Sequence, residues 1–188
     1  MAESVWLSSA SPAFRLMLAT SWLAPDLWRE PQRSAIRAAG FAGVDWEEYL
    51  RLVDRHRTPA ISWAALKLAP ELEIPQPARQ GLKKRSDACR MWAVRHSLLL
   101  AAVLKCLSAA QIPAMPFKGP ALSSELYGDL GLRHARDLDV AVAAEDLRRA
   151  RACLEELGWR LTSRWFPLTP RQGQSFLREE HCLDFAHP

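Results

Sequence analysis

The stretch from Phe117 to Val142 reads FKGPALSSELYGDLGLRHARDLDVAV, and its two ends decide the fold. At the far end Leu138, Val140 and Val142 alternate with Asp137, Asp139 and Ala141, the period of a half-buried strand. Residues two apart on a strand share a face, so this reading sets the Asp137 and Asp139 carboxylates side by side. Two like charges that close repel, and without compensation one of them would take up a proton. At the near end, IPAMPFKG is short and apolar with two prolines, which predicts an edge-like strand ending at Lys118-Gly119. Pro120 to Tyr127 then reads as one short helix, with Gly128 as its terminator.

Two things could compensate the carboxylates. One is an ion network with Arg133 and Arg136 on a solvated strand end. The other is a divalent cation. Mg²⁺ takes hard oxygen ligands, usually one or two protein carboxylates together with substrate phosphates. That makes Asp137 and Asp139 candidate metal ligands for phosphoryl or nucleotidyl transfer. Asp-x-Asp alone is a weak pattern, and the residues upstream strengthen it. Lys118 and Gly119 fall at a strand-to-helix turn, where free backbone N–H groups form an anion site and glycine admits a phosphate closely. Lys118 adds a point charge there, and Arg133, four residues before Asp137, is a further candidate phosphate contact.

Outward from this stretch the chain changes character. Residues 1–110 read almost entirely as helix and form an expected N-terminal helical domain, and 111–188 form a second domain. Ser11-Pro12 is an N-cap with proline at the first helical position. Pro31 to Ala39 is a short helix that Gly40 closes, and Asp45 caps WEEYLRLVDRH. Pro59 to Leu68 is another helix, and a long one runs from Pro77 to about Ala110, basic at its start and apolar later. After Val142 the pattern predicts a helix over EDLRRARACLEELG closed by Gly158, a strand at WRLTSRW, a loop over 167–174 and a last strand at HCLDFA. The fold class is therefore α+β: an all-helical region followed by a mixed β-sheet flanked by helices.

Composition excludes some classes and leaves others open. Hydrophobic residues make up 49% and charged residues 24%, so a packed core is expected rather than disorder. A formal net charge of +4 suits a phosphate-handling enzyme but is too small to argue for nucleic acid by itself. The basic run Arg79, Lys83, Lys84, Arg85 and Arg90 reads as a solvated face, with a polyanionic acceptor such as RNA as the sharper alternative. Trp46, Trp63, Trp92 and Trp159 read as core packing. The four cysteines form no CxxC pair, which predicts free thiols in a reducing, cytoplasmic compartment. The longest uninterrupted apolar run, around Leu98 to Leu104, is too short to span a bilayer, so no membrane partner is expected.

The quoted stretch resembles an uncharacterised nucleotidyltransferase family of the DNA polymerase β-like nucleotidyltransferase superfamily. Lys118, Gly119, Leu126, Tyr127, Arg133, Asp137 and Asp139 fall in register with its core. DWEEYLRLVDRHRTPAISWAAL is similar, less sharply, to its N-terminal helical segment. The resemblance implies a nucleotidyltransferase-like sheet, Mg²⁺ as cofactor, and an NTP whose nucleotidyl group passes to a hydroxyl of a small molecule, RNA or protein. It also implies a third carboxylate on a later strand, for which EEHCLDFAHP offers Asp184, with Glu179 and Glu180 as alternatives. The catalytic and metal-binding set is then Asp137, Asp139 and Asp184, with Lys118, Gly119 and Arg133 on the nucleotide. Two departures stand out. Pro120 takes the place of the superfamily's phosphate-touching serine, and family members usually continue past the point where Pro188 ends this chain, so a truncated core is expected. These departures favour, as an alternative, a nucleotide-binding or regulatory protein of weak turnover that acts through a partner. A protein partner docked on the helical front is a third expectation.

Overall fold

The computed structural model describes residues 9–23, 29–40, 42–162 and 182–187. Five helices come first: α1 (Pro12–Thr20), α2 (Arg29–Ala39), α3 (Trp46–Arg55), α4 (Pro59–Leu66) and α5 (Gln76–Ala109). Then follow β1 (Ala114–Pro116), α6 (Gly119–Tyr127), β2 (Val140–Val142), a 3₁₀ turn at Ala144–Asp146, α7 (Leu147–Glu156), β3 (Arg160–Leu161) and β4 (Phe185–Ala186). The architecture is α+β and dominated by helix. By contacts the chain falls into two compact units, Met1–Ser97 with Lys118–Leu138, and Leu98–Phe117 with Asp139–Pro188. Helix α5 runs through both, the division falling after Ser97.

The first unit is a helical bundle whose local signals are capping residues. Ser11 Oγ accepts from the Phe14 N–H at 3.2 Å and donates to Glu48 at 2.9 Å, so one side chain caps α1 and ties it to α3. Asp45 accepts from the Glu47 and Glu48 amides at the start of α3. Leu16, Met17, Ile36, Tyr49, Val53 and Leu82 form the buried core, with Trp46 and Trp63 packed on it. Two polar side chains inside it find partners. Gln32 donates to the Ala19 and Trp22 carbonyls, closing the C-terminal end of α1. The Tyr49 hydroxyl sits 2.9 Å from Thr20 Oγ1, and burial pushes its pKa up to about 12.

The second unit packs the end of α5 against α7 through Val103, Leu107, Ile112, Ala150 and Cys153, with Val140, Val142 and Trp159 around them. β1 pairs β2 antiparallel in the register Ala114↔Val142, Met115↔Ala141, Pro116↔Val140. β3 pairs β4 antiparallel, Arg160↔Ala186 and Leu161↔Phe185. Among the described residues the strands thus form two separate antiparallel pairs, where the sequence pattern led us to expect one mixed sheet.

Further expectations are corrected. Strand β2 starts at Val140, so Asp137 and Asp139 precede the ladder rather than lie within it. The physical reason is the partner: β1 is three residues long and ends at Pro116, so it offers a short ladder. Trp92 is 51% exposed rather than core. Counting uninterrupted apolar residues also understates α5. One of its 18-residue windows has mean hydropathy 1.3, long and apolar enough by length and composition to cross a membrane, with 28% of it buried. Core helices of globular proteins meet the same measure. The strand expected at 159–165 is described only to Thr162, and the loop over 167–174, Glu179 and Glu180 lie outside the described residues.

Candidate active site

The turn carrying Lys118 and Gly119 is built by one unusual backbone angle. Gly119 opens α6 at φ +58°, a left-handed conformation that costs a residue with a Cβ about 1–2 kcal/mol. Glycine also leaves its surroundings clear. A β-carbon here would lie 3.5 Å from Ala135 Cβ and 3.5 Å from the Asp137 carbonyl oxygen. The bare backbone of Gly119 therefore lies beside the main-chain carbonyl of Asp137. Lys118 is exposed, Arg133 half-buried and Asp137 exposed, all in the first unit. Pro120 follows within the first turn of α6, so that position has no N–H to offer.

Arg133 is held by a small network that starts from Ser123, a fully buried serine on α6. Ser123 Oγ donates to the Asp129 carbonyl at 2.7 Å and accepts from the Arg133 N–H at 3.1 Å. Asp129 in turn accepts from the Gly131 N–H at 2.8 Å and is ion-paired with Arg90. A β-carbon at Gly131 would fall 2.7 Å from Arg90 Cγ, so the turn fits only without one. Of the basic run, Lys83, Arg85 and Arg90 are each paired with a carboxylate, Asp87, Asp54 and Asp129 respectively.

Asp139 and Asp184 belong to the second unit. Asp139 is half-buried, and its carbonyl accepts from the Phe117 N–H at 3.3 Å, one step beyond the β1–β2 ladder. The Asp184 carbonyl accepts from both the amide and the hydroxyl of Thr162, at 2.8 and 3.0 Å. Its neighbour His187 packs edge-on against Trp159, ring centres 4.9 Å apart, a structural contact. Among the described residues no group of three or more His, Cys, Asp or Glu gathers in a metal-binding cluster. The donor set still suits Mg²⁺. Asp137 and Asp139 each carry the hard oxygen donors that Mg²⁺ takes, and the group beside Gly119 is the Asp137 main-chain carbonyl.

Two histidines went unread in the sequence. His96, on α5, is buried, and its Nδ1 has no hydrogen-bond partner among the described residues. Burial and then the Arg95 charge lower its pKa, while the Asp137 carboxylate opposes them. His134 lies 3.6 Å from Cys89 Sγ, and burial followed by Arg57 and Arg136 lowers its pKa. The available signal was Trp92 and His96, four apart on one helical face; their rings meet edge-on at 5.3 Å.

Lys118 stands just before α6 and Gly119 at its first position, as the sequence pattern placed them. No curated protein and no solved structure compared with the chain matches it. The family model described as "Uncharacterised nucleotidyltransferase" matches residues 42–187, well over half of the chain, and the protein belongs to that family.

Proposed function

We propose that the protein transfers a nucleotidyl group from a nucleoside triphosphate to a hydroxyl acceptor in a reaction that requires Mg²⁺. The observation that supports this reading is the left-handed Gly119 turn at the start of α6, with the main-chain carbonyl of Asp137, a candidate metal ligand, beside it. In this reading the non-proline amides in the first turn of α6 and the Lys118 ammonium receive the triphosphate, and Arg133 neutralises part of its charge. Asp137 and Asp139 hold the cation, which supplies positive charge to the phosphate oxygens. Asp184 takes the proton from the acceptor hydroxyl. The acceptor oxygen bonds to the α-phosphorus, the bond to the bridging oxygen breaks, and pyrophosphate leaves. The two strand pairs belong, on the same reading, to the nucleotidyltransferase core, and the helical front is where a protein partner would dock. Four free cysteines suit a reducing, cytoplasmic setting.

Transfer from α-labelled NTPs to candidate acceptors, with and without Mg²⁺, tests the proposal. Replacing Asp137 and Asp139 by Asn should lower the rate by at least about a hundred-fold, since a catalytic cation contributes several kcal/mol. Unchanged transfer would sink it. Pro120 favours a second reading, a nucleotide-binding protein that does not turn over, because it removes one donor from the phosphate turn. Tight NTP binding by calorimetry with no product after long incubation would decide for that reading.

A further inference from the structure

A cleft of about 250 Å³ in the first unit, lined among others by Arg57, Arg85, Trp92, His134 and Arg136, carries more positive charge than its walls balance. Of its three guanidiniums only Arg85 has a carboxylate partner, Asp54 at 2.7 Å. Arg57 and Arg136 form no ion pair with a carboxylate among the described residues, and both are exposed at the cleft. We propose that this cleft binds the phosphate group of a small phosphorylated molecule, clamped between Arg57 and Arg136 with His134 as a hydrogen-bonding partner and Trp92 as the apolar wall.

Several independent features agree. Planar guanidiniums match phosphate geometry and bind it in two-pronged fashion. Arg57 has φ +58° at the position just after α3 where helices ordinarily end in glycine, with the Thr58 N–H bonded back to the Val53 carbonyl. Keeping a strained arginine where glycine would be relaxed places a cation at this cleft at the expense of stability. Trp92 is steadied by Arg95 over its ring, 5.7 Å from the centre, and by His96 at its edge. The volume accommodates a phosphate and a sugar-sized body, and is too small for a drug-sized ligand. Since Arg136 immediately precedes Asp137, the site lies next in the chain to the proposed transfer centre, yet its ligand binding needs no Mg²⁺ and no turnover.

Calorimetry on the full chain in Mg²⁺-free buffer tests it, with ribose 5-phosphate, ribose, inorganic phosphate and a single-stranded RNA oligonucleotide as probes. Ribose 5-phosphate should bind, ribose should not, and inorganic phosphate should bind more weakly than the ester because it leaves the Trp92 wall unused. Arg57→Gly and Arg136→Gln should each weaken binding at least about ten-fold. Arg57→Gly should at the same time raise the melting temperature, which separates a lost cation from a lost fold. Asp54→Asn, which releases Arg85, should tighten binding. Equal binding of ribose and its phosphate, binding of the RNA alone, or full affinity in the doubly substituted chain would each overturn the proposal.

Discussion

The Phe117–Val142 stretch is held in two different ways along its length, and the contrast explains what each carboxylate depends on. From Lys118 to Leu138 the chain is shaped by particular side chains: Gly119 at φ +58°, Ser123 bridging Asp129 and Arg133, and Arg90 paired with Asp129. From Val140 to Val142 it is held by a backbone ladder to Ala114–Pro116, which the Phe117 N–H extends by one bond to the Asp139 carbonyl, so main-chain groups rather than particular side chains set the pairing. Asp137 thus owes its place to residue identities, and Asp139 owes its place to strand pairing. The first kind of support fails at single substitutions; the second tolerates many.

Four substitutions or titrations test that contrast, from the largest effect to the smallest. Ser123→Ala leaves the part-buried Asp129 carbonyl and Arg133 N–H without this partner, at about 1–2 kcal/mol each, so a loss of roughly 2–4 kcal/mol in stability by denaturant unfolding is expected. Hydrogen exchange should show the Arg133 amide losing protection while the Phe117 amide keeps it; equal loss at both would erase the distinction. Raising the pH tests the helical core that carries this network. Tyr49 has its pKa lifted from 10.0 to about 12, so its contribution is complete below pH 10. Above that the unfolded chain ionises first and binds fewer protons, and stability falls as pH climbs towards 12, by on the order of 2–3 kcal/mol. Tyr49→Phe should flatten that slope, and an unchanged slope would show that another group governs it.

Gly119→Ala comes next, at about 1–2 kcal/mol for a β-carbon in the left-handed region. Its 3.5 Å contacts are ordinary, so the penalty lies in the backbone angle, and transfer activity should drop more than stability does. A variant with native activity would separate this turn from the site. Thr162→Val is the smallest. It removes one exposed hydroxyl bond to the Asp184 carbonyl while the amide bond stays, so a change of about 0.5 kcal/mol or less is expected in a thermal melt. A loss above 2 kcal/mol would mean that side chains, not the ladder, hold the Asp184 end.

Much of the fold was legible because helix ends are chemically marked. Ser11 and Asp45 cap α1 and α3 as their side chains suggest, and Gly40, Gly128 and Gly158 take positive φ where the helices stop. The left-handed turns at Arg57 and Gln111 were not legible, since nothing local marks a non-glycine there. Of the candidate site, the glycine turn at the start of α6 could be read from the pattern, while the Asp137 carbonyl beside it could not. The extent of the strand could not: alternation continues through Asp137, but the partner strand ends at Pro116. Trp92 misled for a related reason. Periodicity on a long helix shows that a face is apolar, and only packing shows whether anything covers it.

Sequence alone determined the helical front, the Lys-Gly turn ahead of an Asp pair, and the family, because caps, left-handed glycines and a fixed motif spacing are local chemistry. Tertiary structure alone decided that residues 118–138 fold with the helical bundle while Asp139 and Asp184 fold with the small α/β unit. It also decided that Arg57 lines one cleft with His134 and Arg136, which lie far from it in the chain. Those outcomes rest on side chains meeting across dozens of residues, where the local rules of capping and alternation carry no information.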